Sequence, residues 1–304
     1  MLFFNKKTTI AASGILQGAA DHHSHILPGV DDGVETMDEA LRILATYETL
    51  GIKELWLTPH IMEDIPNTPQ KLRARFEELK ATYTGNIELH LAAEYMIDNH
   101  LRKLLQEIKN SPSFPKGEGD ETTEPQETNN SPSLGKREYP QGEGDEKNRD
   151  CQISPTNNCP SCVRGASDVV AEGDNLLPIG TNGKHILVET SYYNAPIRMN
   201  ETLQQIKSMG NFPLLAHPER YMYLNNADYT RLHSQGVKFQ LNIASLAGGY
   251  GKAVKKKAEW LLTNGLYSVA GTDLHCEDAI EFITKCKLSK QAVEQVERLL
   301  HNRI

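Results

Sequence analysis

A closed or nearly closed α/β barrel is the fold class that this 304-residue chain predicts, and three features predict it. Seven stretches read as strands, helical patterns separate them, and polar or charged side chains stand at the end of each strand. A doubly wound open sheet shows the same alternation and is the alternative. The 38% hydrophobic content suffices for one large core once a polar segment is set aside.

A short first strand ends at Asp21 and leads into "DHHSHILPGVDDG" (21–33). Parallel strands are covered on both faces, so they read as nearly continuous apolar runs. Such runs are "ELWLTP" (54–59), "IELHLAAE" (87–94), "HILVET" (185–190), "FPLLAH" (212–217), "VKFQLNIA" (237–244) and "LYSVAG" (266–271). Helical patterns occupy 37–50, 69–81, 100–108, 197–209, 227–235, 252–263 and 290–301. Glycines at 51, 210, 236 and 265 stand where helices should stop, because glycine accepts the left-handed cap conformation without a Cβ clash. No glycine-rich nucleotide loop follows any strand.

Residues 110–176 break this pattern. They are rich in Pro, Gly, Glu and Asn, and "SPSFPKGEGDE" recurs in interrupted form as "SPSLGKREYPQGEGDE". Such a segment has too little to bury to offset the entropy of ordering it, so a disordered insertion is expected within a single domain formed by 1–109 and 177–304. Much of the formal net charge of −8 lies in the insertion, and the remainder is close to neutral. No basic face is implied, which argues against a nucleic-acid partner. Five cysteines, an odd number, fit a reducing compartment. The start "MLFFNKK" is apolar and then basic, the reverse of a signal peptide, and no 18-residue apolar stretch follows. A cytoplasmic protein without membrane insertion is the expectation. "CPSC" (159–162) has zinc-knuckle or redox spacing but no second pair.

The strand ends carry the chemistry. Strand one supplies His23 and His25, then Asp31 and Asp32; strand two supplies His60, strand three Glu94 and strand four Glu189. Strand five supplies His217 and Arg220, strand six Asn242, and strand seven Asp273 and His275. In an extended strand, residues i and i+2 point to one side, so His23 and His25 can share an ion while Ser24 points away. Asp273 and His275 are expected to repeat that arrangement. A lone His-x-His is usually incidental, but charged groups at successive strand ends are costly to bury without a cation. Imidazole with carboxylate suits manganese, zinc or iron better than calcium, and the ligands outnumber the needs of one ion. His90, His185, His233 and His301 read as ordinary surface or helix-end residues, with His22 and His100 as possible exceptions.

"DHHSHILPGVDDG", "TPH", "AAEY", "LVE", "LAHPERY" and "GTDLH" resemble the motifs of the polymerase and histidinol phosphatase (PHP) superfamily. The resemblance is to its manganese-dependent bacterial tyrosine-protein phosphatases of capsule and exopolysaccharide synthesis. It covers about 1–109 and 177–304 and implies a distorted seven-stranded (β/α) TIM-like barrel with three Mn2+ ions. It also implies that His23, His25, Asp32, His60, Glu94, Glu189, His217, Asp273 and His275 are metal-site residues and that Arg220 binds phosphate. The implied partner is the tyrosine-phosphorylated tail of a membrane-associated bacterial tyrosine kinase. His22 stands where the resemblance leads one to expect an apolar residue, so strand one is expected to lie less deep.

The chemistry expected is hydrolysis of phosphotyrosine by a hydroxide bridging two metals, with Arg220 on the phosphoryl oxygens and Asp32 a candidate acid. One division of ligands places His23, His25, Glu94, Glu189 and Asp273 on one ion, His60, Glu94 and His217 on a second, and Asp32 with His275 on a third. Neither Cys276 nor Cys286 sits in an anion-cradling loop, so a cysteine nucleophile is not expected. The rivals are a histidinol-phosphate or other small phosphomonoester phosphatase of the same superfamily, and a non-catalytic scaffold that keeps the fold.

Overall fold

Alternation of side chains along each strand explains how the core divides in the computed structural model, which describes residues 7–112 and 176–304. In chain order the first half comprises β1 (Thr8–Thr9), α1 (Ile10–Ser13), β2 (Ala20–Ser24), α2 (Met37–Leu50), β3 (Glu54–Leu57), β4 (His60–Ile61), α3 (Pro69–Thr82), β5 (Glu88–Leu91), β6 (Glu94–Met96) and α4 (Asn99–Asn110). The second half comprises β7 (His185–Glu189), α5 (Met199–Ser208), β8 (Phe212–Ala216), a 3-10 turn (Pro218–Arg220), α6 (Asn226–Ser234), β9 (Lys238–Asn242), α7 (Ile243–Ala247), α8 (Gly251–Thr263), β10 (Val269–Gly271), α9 (Asp278–Lys285), β11 (Lys287–Leu288) and α10 (Lys290–Leu300).

Leu187, Leu214, Ala216 and Val269 pack with Trp56, Ala92 and Ile179 in one small cluster. Their strand neighbours Ile186, Val188, Leu215 and Ala270 belong to a second, larger cluster with the helix residues Ile43, Leu72, Leu203 and Leu261. Successive strand side chains face opposite ways, so the small cluster is the barrel interior and the large one the layer beneath the helices.

All ladders around the ring are parallel: β2 with β3, β3 with β5, β4 with β6, and then β6, β7, β8, β9 and β10 in succession. The ring closes where Asp273 N–H donates to His23 O at 2.7 Å and His25 N–H donates to Leu274 O at 2.8 Å. Beside this seam the Asp21 carboxylate accepts from Thr272 N at 2.9 Å, Thr272 Oγ1 at 2.7 Å and Tyr47 OH at 3.0 Å. That return to the first strand makes a distorted seven-stranded (β/α) barrel of the TIM-like, PHP type, and it excludes the doubly wound sheet.

The distortion has local causes. Strand two leaves strand one after Thr58, whose N–H reaches Ser24 O at 2.8 Å; Pro59 has no N–H, and His60 N–H turns to Asp31 instead. The strand expected at 54–59 therefore stops at Leu57 and resumes as β4 at His60, and that expected at 87–94 divides into β5 and β6, which starts at Glu94. The run at 237–244 stops at Asn242, whose side chain caps α7 by accepting from Ala244 N. The run at 266–271 reduces to 269–271, and α9 is a helix that periodicity alone did not predict. Thr36, Thr68 and Ser289 cap α2, α3 and α10, and Gly51 ends α2 at φ 89°.

Two expectations about histidines are corrected. Every residue of β2 is buried, including His22, whose Nδ1 lies 3.2 Å from Ala270 O. A hydrogen-bonding imidazole thus takes the place expected for an apolar side chain without lifting the strand. His185 is also buried, packed against Phe212 at a ring separation of 5.3 Å. Residues 113–175 of the expected insertion, with the "CPSC" motif, lie outside the described residues, and Asn110 ends α4. Among the described residues no helix is long and apolar enough to cross a membrane.

Candidate metal centre

Parallel strands all present their carboxyl ends on one rim, so residues distant in sequence meet there. His23 lies on β2, His60 on β4, Glu94 on β6 and Glu189 at the end of β7. His25, His217, Asp273 and His275 occupy the turns that follow β2, β8 and β10. The structure brings all of them together with Asp32.

Three overlapping sets emerge in which the donor atoms lie within 4.8 Å of one another: His25, Asp32, His60 and His275; His23, Glu94, His217 and Asp273; and His60, Glu94 and Glu189. Glu94 is the hub. Its Oε2 lies 3.2 Å from His23 Nε2, 3.3 Å from His25 Nε2 and 3.3 Å from His60 Nδ1, while Oε1 lies 3.1 Å from His217 Nε2. Glu189 Oε1 is 3.1 Å from His60 Nδ1, and Asp273 Oδ1 is 3.4 Å from His23 Nε2. Asp32 Oδ1, at the exposed mouth, is 3.4 Å from His60 Nε2 and 3.7 Å from His275 Nε2. This geometry regroups the sequence-based division: His25 joins Asp32, His60 and His275, whereas His23 joins Glu94, His217 and Asp273. The overlap persists, because Asp273 Oδ1 is also 3.5 Å from His25 Nε2.

Asp273 and His275 fall into different sets, as His23 and His25 do, so neither i, i+2 pair lies within one set as expected. β10 ends at Gly271, and Asp273 has φ 54°. His217 is likewise left-handed at φ 31°. Non-glycine residues adopt such φ values at a cost of about 1–3 kcal/mol, which surrounding structure must offset. Here the Asp273 seam bond to His23 holds the first. Gln240 accepts from the His217 N–H at 3.2 Å and holds the second.

The donor set fits a group of divalent cations. His23, His25, His60, Glu94, Glu189, His217 and Asp273 are all buried. Glu94 Oε2, His60 Nδ1 and His217 Nδ1 lack hydrogen-bond partners, which is unfavourable for buried polar atoms unless an ion meets them. Burial opposes ionisation throughout, yet the adjacent imidazoles hold the Glu94 and Asp273 carboxyls well below the usual carboxylate range, with His23 the strongest influence. Against the same burial, Glu94 and Asp273 push His23 up to about 9. Asp31 is held at about 2, where the His25 ring outweighs the effect of burial. Protons on these rings thus supply positive charge that cations provide when bound.

Arg220 approaches from the 3-10 turn after strand five. Its Nη1 donates to Asp273 Oδ2 at 2.8 Å, and the guanidinium lies between the rings of Tyr192 at 4.2 Å and Tyr250 at 4.1 Å. Burial lowers its pKa, but Asp273 and the tyrosines more than compensate and raise it. Asn242 also reaches the site, donating from Nδ2 to Asp273 Oδ2 at 2.9 Å.

Sequence reasoning noted Asp31 without giving it a role and missed Gln240, Tyr192 and Tyr250. A signal existed for Gln240: it is polar and spaced two residues from Asn242 in a strand otherwise read as buried. Cys286 is buried and Cys276 half-buried; both are free thiols.

A closed parallel barrel with imidazole and carboxylate sets along its carboxyl rim is the framework of a multi-metal hydrolase, and the family match makes it a metal-dependent phosphatase of the PHP superfamily. The chain belongs to the CpsB/CapC family of capsular polysaccharide synthesis, whose model matches residues 19–112 and 169–299. It is 23% identical over 288 residues to CapC of Staphylococcus aureus, a candidate tyrosine-protein phosphatase, with 93% of this chain and 88% of that protein covered. It is 22% identical over 297 residues to the tyrosine-protein phosphatase YwqE of Bacillus subtilis, with coverage of 93% and 91%. A structure from work on YwqE of B. subtilis and CpsB of Streptococcus pneumoniae, described as metal-dependent tyrosine phosphatases, aligns with a TM-score of 0.59 and 19% identity. It covers 94% of this chain and 95% of that one.

Proposed function

We propose that the chain is a manganese-dependent protein-tyrosine phosphatase that acts on the tyrosine-phosphorylated tail of a membrane-associated kinase in capsule or exopolysaccharide assembly. The catalytic domain in this reading is 1–109 with 177–304, and 110–176 is an insertion. The matched parts of the family model, which flank 113–168, support that division. The observation that carries the reading is the position of Arg220, a planar phosphate-binding fork held 2.8 Å from Asp273 of the ligand sets.

His23, Glu94, His217 and Asp273 would hold one Mn2+, His25, Asp32, His60 and His275 a second, and His60, Glu94 and Glu189 a third. Bound ions would supply Lewis acidity toward phosphoryl oxygens and lower the pKa of a water. Arg220 presents parallel N–H donors to two phosphoryl oxygens, and Tyr192 and Tyr250 keep its plane in register. The Asp32 side chain is 65% exposed at the mouth, where its Oδ1 can deliver a proton to a departing phenolate or complete an ion's ligands. A phenol of pKa about 10 needs less protonation help than a serine alkoxide, which favours phosphotyrosine.

The test is phosphate release by the full chain with Mn2+ from matched phosphotyrosine and phosphoserine peptides and from histidinol phosphate. Phosphotyrosine should be preferred by at least tenfold. Equal or faster turnover of histidinol phosphate would overturn this reading in favour of a small-molecule phosphatase.

A further inference from the structure

Two side-chain oxygens outside the proposed ligand sets hold the ligands in the same way. Asp31 Oδ2 accepts from His25 Nδ1 at 2.8 Å and from the main-chain N–H of His60 at 3.0 Å. Gln240 Oε1 accepts from His23 Nδ1 at 3.0 Å and from the main-chain N–H of His217 at 3.2 Å. Each oxygen ties one histidine of the "HSH" strand to a histidine on a different strand.

These contacts assign the histidine protons. A main-chain N–H only donates, so the Gln240 atom facing His217 is the oxygen, and the His23 nitrogen facing that same oxygen must carry a proton. An ionised carboxylate only accepts, so His25 Nδ1 is protonated by the same logic. Both rings therefore turn Nε2 inward, where the two Nε2 atoms are 3.1 Å apart. Gln240 is fully buried, and its Nε2 donates to Leu241 O, which leaves the amide no alternative orientation without an unpaired group.

The backing groups differ in charge in a way that balances their sets. The set containing His25 has one carboxylate ligand, Asp32, and is backed by the Asp31 carboxylate. The set containing His23 has two, Glu94 and Asp273, and is backed by a neutral amide. Counting each set's own ligands and its backing group, both comprise two carboxylates, with Glu94 in addition 3.3 Å from His25 Nε2.

We propose that Gln240 and Asp31 are paired positioning residues of the metal centre, which orient His23 and His25 to present Nε2 and fix the heights of His217 and His60. This rests on the metal-centre reading but not on the identity of the substrate. Outer partners of ligating histidines typically change metal affinity about 10- to 100-fold when removed.

The test uses the full chain stripped of metal and titrated with Mn2+ by calorimetry, with folding checked by circular dichroism. Gln240→Met and Asp31→Ala should each weaken the tightest Mn2+ step by about 10- to 100-fold. Gln240→Glu, which keeps an acceptor on His23 Nδ1, should recover most of the loss seen in the methionine variant. Long-range 1H–15N spectra of the Zn2+-loaded parent chain, with rings assigned from His23→Gln and His25→Gln, should show protonated Nδ1 and ligated Nε2 on both. Parent-like Mn2+ affinity in a folded Gln240→Met protein overturns the proposal, as does ligation through Nδ1 of either ring. If Gln240→Met does not fold, the ring spectra decide alone. A parent chain that binds neither Mn2+ nor Zn2+ sinks the metal-centre reading itself.

Discussion

Arg220 and Asp273 form a 2.8 Å ion pair across two strand ends, with Arg220 flanked by two tyrosine rings. The same carboxylate contributes to a candidate metal set, so in the proposed reading the pair would place an anion-binding fork beside bound cations without occupying a ligand position. Arg220→Ala should therefore keep its metal content by elemental analysis while kcat/KM on a phosphotyrosine peptide falls about 10²- to 10³-fold. Arg220→Lys should recover little, because an ammonium lacks the two parallel donors. Loss of metal in the alanine protein would make the arginine a structural counter-ion instead.

Removing the ions should weaken the fold as well as the chemistry. The rim concentrates buried carboxylates and imidazoles with unpartnered atoms, so ligands that bind only the folded chain shift its equilibrium. Mn2+ at a hundred times its Kd should add about 2.7 kcal/mol of stability over chelated protein. Thermal melts at graded Mn2+ check this, and superimposable curves would contradict it.

Gly271 ends β10 against β2, where an added Cβ would fall 2.6 Å from His23 Cβ and 2.7 Å from His23 N. The backbone N of His23 cannot yield without moving a candidate ligand. Gly271→Ala should cost about 1–3 kcal/mol in urea unfolding and lower Mn2+ affinity. Gly183→Ala is the contrasting control: its φ is 61°, a strain that Gly271 does not have, and nothing lies within 4 Å of its Cβ. It should lose stability without losing metal.

His185 should contribute to acid instability. Burial, with help from Lys238, lowers its folded pKa to about 4 from an ordinary value near 6.5. Between those values the unfolded chain binds more protons than the folded one, so stability attributable to this ring falls as pH drops below about 6.5 and levels off near 4. Allowing for solvent screening, the loss between pH 7 and pH 5 is on the order of 1 kcal/mol. Urea unfolding of the parent and His185→Leu proteins at both pH values should show a shallower pH response in the variant; equal slopes would refute this source.

Much of the barrel and its rim was legible because the relevant signals are local. Buried parallel strands appear as apolar runs, helices announce themselves through periodicity and terminal glycines such as Gly51, and charged residues recur where runs end. Pro59 lacks the N–H that a ladder needs, a signal the strand reading of 54–59 passed over, and the consequence, His60 N–H turning to Asp31, depends on a loop folded in from another strand. The helix at 278–285 escaped notice because no cap hydrogen bond marks its start.

By itself, then, the sequence determined the alternation of strands and helices and the inventory of imidazoles and carboxylates at the strand ends, since both follow from side-chain chemistry and short-range spacing. Only the tertiary structure decided how the donor atoms group, that each i, i+2 pair is split between sets, and that Gln240 and Asp31 meet the first two histidines. Those outcomes depend on ring closure between β2 and β10 and on left-handed turns at His217 and Asp273, where long-range hydrogen bonds outweigh local backbone preference.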